Sequence, residues 1–164
     1  MNLVFEDKQL LEFDTNLKVL PPIREEVDAK ALKKGLKEGV IDIINSNHTP
    51  HDADSKELEF LYADYGAVGL ETTYASVNTF LGDVLSQEEI VEKLGVNPRK
   101  MLGLAIPKIE ENTVANLTFF HPTKEWSFER QHIHSKSKNT PFIGQKFKGK
   151  VMGVCNNGLL ELVG

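Results

Sequence analysis

The run Val40-Ile41-Asp42-Ile43-Ile44 constrains the fold more than any other stretch of this chain. It is short, mostly apolar and rich in β-branched residues, and it lacks the strict alternation of a strand with one wet face. The pattern predicts a strand buried on both faces, the kind found in parallel sheets. Such a strand needs a neighbour on either side and a helical crossover to cover it. Upstream, the stiff Leu20-Pro21-Pro22 step precedes a predicted helix over 24–37. Its stripe is Val27, Ala31, Leu32, Gly35 and Leu36, with acidic residues early and lysines late, as the helix dipole favours. Gly39 stops it.

Downstream, a polar loop is expected over 45–66. Leu70, Tyr74, Val77 and Leu81 then recur at helical spacing before Gly82. Ser86-Gln87-Glu88-Glu89 is a capping box, flanked by Leu85 and Ile90 as a hydrophobic staple. That helix is expected to end at Gly95, and Asn97-Pro98 to open another. From Ala105 the pattern turns to β. Val114–Phe120 reads as a strand and 126–142 as polar and loop-rich. Asn156-Asn157-Gly158 between Val151–Cys155 and Leu159–Val163 predicts a hairpin. The chain thus divides into an α/β part, 1–104, and a β part, 105–164. One predicted strand and three or four helices cannot enclose a parallel strand, so the first part reads as the last one or two units of something larger.

Composition narrows the function classes. The chain has 164 residues and a net charge of −5, which offers no basic excess for nucleic acid or an anionic membrane. No apolar run approaches the roughly 20 residues of a membrane span. The N-terminus lacks a basic, then apolar, signal-peptide pattern. The single cysteine, Cys155, allows no internal disulfide and fits a reducing compartment, hence a cytoplasmic expectation; its apolar surroundings read as core. Trp126 and Phe119-Phe120 also read as core, Lys136–Lys150 as a solvated face, and His132-x-His134 as an alternating strand face.

Chemistry concentrates in Asn45-Ser46-Asn47-His48-Thr49-Pro50-His51, directly after the predicted strand. Barrel enzymes place catalytic groups at that end of a parallel strand. Two histidines three apart across a proline-stiffened loop fall short of a metal-ligand set on their own. The segment resembles the Asp-His-x-Pro-His signature of the dihydroorotases, metal-dependent cyclic amidohydrolases. Four further stretches resemble the same family, in the same order: Phe13–Arg24, Tyr65-Gly66-Ala67-Val68-Gly69-Leu70-Glu71-Thr72, Val96–Leu104 and Ser135-Lys136-Ser137-Lys138-Asn139-Thr140-Pro141-Phe142.

The resemblance implies the C-terminal part of a (β/α)₈ hydrolase barrel followed by β-sandwich strands. It implies interconversion of N-carbamoyl-L-aspartate and dihydroorotate, in pyrimidine synthesis, at a zinc centre that activates water and polarises the amide. By position, Asn47 stands where the family has its metal-binding, proton-shuttling aspartate. His51 takes the substrate-carboxylate contact, Tyr65 and Gly66 the substrate-contacting Phe-Gly pair, and Leu20 the place of a substrate-binding asparagine. Asn47 and Leu20 depart from the pattern, as does Asn116 for a structural aspartate. An amide cannot accept the proton a carboxylate accepts, and general acid–base catalysis is worth about 10²- to 10⁴-fold. The family's other metal ligands would lie upstream of Met1, so no metal ligand is assigned to this chain. The expectation is an inactive fragment whose barrel is completed by another segment. The alternative is a catalytically dead homologue acting as a structural partner of aspartate carbamoyltransferase; a homo-oligomer is the other partner expected.

Overall fold

The computed structural model describes residues 1–163. Two 3₁₀ turns, Asp7–Glu12 and Thr15–Leu17, lead into helix α1, Glu26–Lys37. A one-turn helix α2, Ala53–Lys56, precedes α3, Thr73–Leu81. Helix α4, Gln87–Val91, runs through a π turn, Glu92–Val96, into α5, Asn97–Met101. An antiparallel sheet in the order β1-β2-β3 follows, with β1 at Leu117–Ser127, β2 at Lys146–Asn156 and β3 at Leu159–Leu162.

The strand predicted at Val40–Ile44 does not form. Ile44 is buried, but Val40 is 75% exposed, and the segment's polar backbone goes to the α4–α5 helical run instead. Ile44 N donates to Lys93 O (3.1 Å), Lys93 Nζ to Ile41 O (2.7 Å) and Asn97 Nδ2 to Asp42 O (3.0 Å). Among the described residues there is no second strand to pair with it; the nearest ladder contact is a single parallel bridge, His48 to Ala67. Gly95 likewise fails to stop its helix. Asn97 gives its amide to Asp42 rather than capping, and the backbone passes into α5 through wider π spacing.

Other local signals hold. Ser86 Oγ accepts from Glu89 N while the Glu89 carboxylate accepts from Ser86 N, and Leu85 and Ile90 are buried beside them. Asn157 and Gly158 both take positive φ, 50° and 77°, the geometry that twists a two-residue turn to match its strands. Strand β1 continues past the expected end at Phe120 to Ser127, because Glu125, Trp126 and Ser127 pair with Lys148, Phe147 and Lys146. His132 closes a 3₁₀ turn, Arg130–His132, rather than lying on a strand, and its Nδ1 accepts from Glu129 N at 2.9 Å. Phe119 is 46% exposed, not core, whereas Phe120 packs on Tyr74 with ring centroids 4.5 Å apart.

Two apolar clusters hold the chain together. The larger joins Phe5, Leu17, Val19, Ile23, Ala67 and Val68 to Phe128, Ile133, Phe142 and Phe147, so the irregular N-terminal segment shares its core with the β part. The smaller packs Leu36 and Ile44 against Val77, Leu81, Leu85 and Ile90. The sheet docks on α3 through polar groups as well. Asn78 Nδ2 donates to Pro122 O (2.9 Å) and Lys148 O (2.6 Å), and Lys148 N donates to Thr79 Oγ1 (2.8 Å). Gly149 permits that approach: a Cβ there would lie 2.5 Å from Asn78 Nδ2.

Candidate functional site

The five site residues expected from the sequence fall into two bonded groups. In the first, Asn47 sits at φ 48°, a left-handed conformation that Asn tolerates better than most residues. Its N–H donates to Asn45 Oδ1 (2.9 Å), and its side-chain amide donates to Leu20 O at 2.8 Å. The two site positions that depart from the dihydroorotase pattern are therefore hydrogen-bonded to each other. The Leu20 side chain itself is 57% exposed.

In the second group, His51 Nε2 lies 3.0 Å from Tyr65 O, so this nitrogen carries the hydrogen and donates. Its Nδ1 lies 3.6 Å from Asp64 Oδ2. Gly66 is buried at φ 149°, and a Cβ there would stand 2.7 Å from Thr49 O. Glycine at 66 lets the 64–68 segment lie against the 47–51 loop, where Thr49 N donates to Ala67 O (2.9 Å). Lys18 braces the second group: its carbonyl accepts from Gly66 N (2.9 Å), and its ammonium stands 4.7 Å from the centroid of the Tyr65 ring.

Three residues that pattern reading passes over hold this arrangement. Asn139 Oδ1 accepts from His51 N (3.1 Å), its Nδ2 donates to Gly66 O (3.3 Å), and its carbonyl accepts from Val68 N (2.7 Å). Its only sequence signal is its place inside Ser135–Phe142. Lys18 and Lys56 are buried, 7% and 3% exposed. Lys18 Nζ donates to Phe60 O and Leu61 O, both at 2.8 Å; Lys56 Nζ donates to Asp64 O (2.7 Å) and Gly66 O (3.0 Å). Burial, followed by the nearby Lys18 charge, pushes the Lys56 ammonium below its ordinary range. Together the two lysines pin the 57–66 loop through its carbonyls. Buried lysines in a polar loop have no periodic signature.

As a metal site these residues do not fit. Among the described residues no three His, Cys, Asp or Glu side chains gather where they could hold an ion. The Asn47 amide nitrogen and His51 Nε2 are committed as donors to carbonyls. His48 Nδ1 accepts from both Gly69 N and Leu70 N at 3.3 Å, which leaves it a backbone-bracing role. What these residues offer a ligand is exposed and largely neutral: the Tyr65 ring at 51% exposure and the Leu20 side chain at 57%.

No protein-family profile matches the chain. Curated relatives do. It is 41% identical over 154 residues to a dihydroorotase from Caldicellulosiruptor saccharolyticus, covering 93% of this chain and 36% of that protein. It is 38% identical over 157 residues to a dihydroorotase from Clostridioides difficile, covering 94% of the chain and 37% of that protein. Among solved structures, an L-hydantoinase (dihydropyrimidinase) from Arthrobacter aurescens superposes with a TM-score of 0.88 at 25% identity, over 99% of this chain and 39% of that one. The dihydropyrimidinase from Brevibacillus agri shares the fold with a TM-score of 0.87 at 23% identity, over 98% and 37%. These neighbours are TIM-barrel amidohydrolases. The chain spans little more than a third of the length of the relatives it matches.

Proposed function

The chain is a relative of the dihydroorotases, and from that premise we propose that it is the C-terminal part of a dihydroorotase-like cyclic amidohydrolase. In this reading 1–104 contributes the last barrel segments, 105–164 contributes sandwich strands, and the rest of the barrel comes from a further polypeptide segment. The observation that carries it is surface. The described residues expose 10571 Å², whereas a folded monomer of 18.4 kDa exposes about 8,200 Å² by the usual scaling. The excess, about 2,400 Å², is the size of a permanent interface. Leu61, Tyr62, Leu70 and Val27 lie bare, at 76, 68, 63 and 65% exposure.

The substrate class is the cyclic amide dihydroorotate and its open form, carbamoyl aspartate, and the setting is the cytoplasm. His51 and the Tyr65-Gly66 backbone line the substrate side. Asn47 occupies the proton-accepting position with a group that cannot take a proton, and Leu20 offers apolar surface where the family uses an amide. The zinc chemistry of the family belongs to ligands outside this chain. The expected result is no interconversion of carbamoyl aspartate and dihydroorotate above background by the purified chain. Robust turnover in a preparation from a host lacking its own dihydroorotase would overturn the reading.

A second reading, a catalytically dead homologue kept as a structural partner, is favoured by the Asn47–Leu20 hydrogen bond. The amide at the proton-shuttling position makes a structural bond that a carboxylate could not. Co-purification with aspartate carbamoyltransferase decides between them: a stoichiometric complex supports the partner role, and its absence supports the fragment.

A further inference from the structure

A cavity of about 470 Å³ bordered by His51 opens between the 51–57 segment, the 130–143 segment and the Thr15-Asn16 turn. Of the five site residues only His51 borders it. Its wall carries four cations, Lys56, Arg130, Lys136 and Lys138, against two carboxylates, Asp52 and Glu57. In a chain whose net charge is −5, that local balance is reversed.

Among the described residues none of these four cations is in an ion pair. Among the described residues Arg130 and Lys136 have neither an ion pair nor a side-chain hydrogen bond. Lys56 is buried, has no carboxylate within ion-pair distance, and uses two of its three N–H bonds on Asp64 O and Gly66 O. Lys138 is held by Ile133 O. Asp52 caps α2, its Oδ1 accepting from Ser55 N (2.9 Å) and Ser55 Oγ (2.6 Å). Ser137 and Asn139 add neutral hydrogen-bonding groups to the same wall.

We infer that this cavity is an anion site, shaped for a small dianion such as a phosphoryl group or a dicarboxylate, with Arg130 and Lys136 as the charged contacts. Guanidinium and ammonium groups bind such oxyanions through charge-assisted hydrogen bonds, the guanidinium in bidentate fashion. The site is physically coupled to the candidate substrate side, because Asn139 lies in its wall and holds His51 N. It does not rest on the amidohydrolase reading, since its ligand need not react.

The test is an amide-shift titration of the whole chain with inorganic phosphate and, separately, succinate, against sodium chloride at matched ionic strength. Saturable shifts confined to 51–57 and 130–140 are expected, and R130A and K136A should each weaken binding at least tenfold, about 1.4 kcal/mol. K108A, on the separate 104–116 segment, should bind as the parent does. Tighter binding of phosphate assigns a phosphoryl ligand, and tighter binding of succinate a dicarboxylate. Shifts that follow ionic strength alone, or equal binding by R130A and K136A when their spectra show an unchanged fold, would overturn the site. Since the readout is binding, an inactive chain leaves the test intact.

Discussion

Asn47 shows how a single atom exchange changes what a site can do. An aspartate there would turn a carboxylate oxygen toward Leu20 O, so a 2.8 Å hydrogen bond would become a repulsion between two acceptors. Asn47→Asp should therefore lower stability at pH 7 by about 1 kcal/mol in urea unfolding, the net worth of one hydrogen bond. The ionised form is the disfavoured one, so the folded pKa of that aspartate lies above its unfolded value. Its stability contribution is then fullest at low pH and falls as pH rises through the carboxylate range. A variant as stable as the parent at pH 7 would show that the Leu20 contact carries nothing. Gly66 presents the opposite case, a residue whose lack of a side chain is the function. With φ at 149° and Thr49 O 2.7 Å from where an alanine methyl would stand, Gly66→Ala should cost roughly 2–3 kcal/mol by backbone strain and local clash. Unfolding midpoints within experimental error of each other would contradict the packing of 64–68 on the 47–51 loop.

Elements divide by how their backbone is satisfied. Where a few neighbouring residues supply every partner, as in the Ser86–Glu89 box and the Asn157-Gly158 turn, sequence and structure agree. The box also makes a pH prediction. Hydrogen bonding from Ser86 N, with help from Lys37, holds the Glu89 carboxyl below its ordinary range. A depressed folded pKa gives stability that is present above the unfolded value and lost as pH falls through the folded one. Ser86→Ala removes only the Oγ that accepts from Glu89 N and should cost about 1 kcal/mol with little dependence on pH, whereas Glu89→Gln should lower stability at pH 7 by a gap that narrows in acid; a constant gap for Glu89→Gln would remove the carboxylate from the explanation. Where satisfaction depends on distant chain, local pattern misleads. Val40–Ile44 has a strand's composition, yet Lys93 and Asn97 take its polar groups, and no local periodicity announces so distant a partner. The site was legible in the same uneven way. His51, Tyr65 and Gly66 came from motif resemblance and do meet in space; Asn139 and Lys18, which hold them, lie inside resembling stretches without being singled out there, and Lys56 carries no local signature.

At the scale of the whole molecule, the edge strand makes the strongest demand. Leu159, Leu160 and Leu162 on β3 are 76, 61 and 71% exposed. Leu162 lies over Gly153, where a Cβ would meet its Cδ2 at 2.8 Å, so the apolar sheet face is continuous from β2 to the edge. A strand with apolar side chains and an unpaired backbone edge is a template for another chain. Together with the surface excess of about 2,400 Å² over the scaling for a folded monomer, this predicts that the isolated chain does not remain monomeric. Sedimentation over a tenfold concentration range should show mass-action association, and a double charge substitution at the edge, Leu160→Lys with Leu162→Lys, should shift it toward monomer. Both residues are exposed, so the substitutions remove association without removing core. Should the parent sediment as a monomer throughout that range, with no binding of an apolar dye, the surface would be self-sufficient. The proposal that further barrel is needed to cover it would then fall.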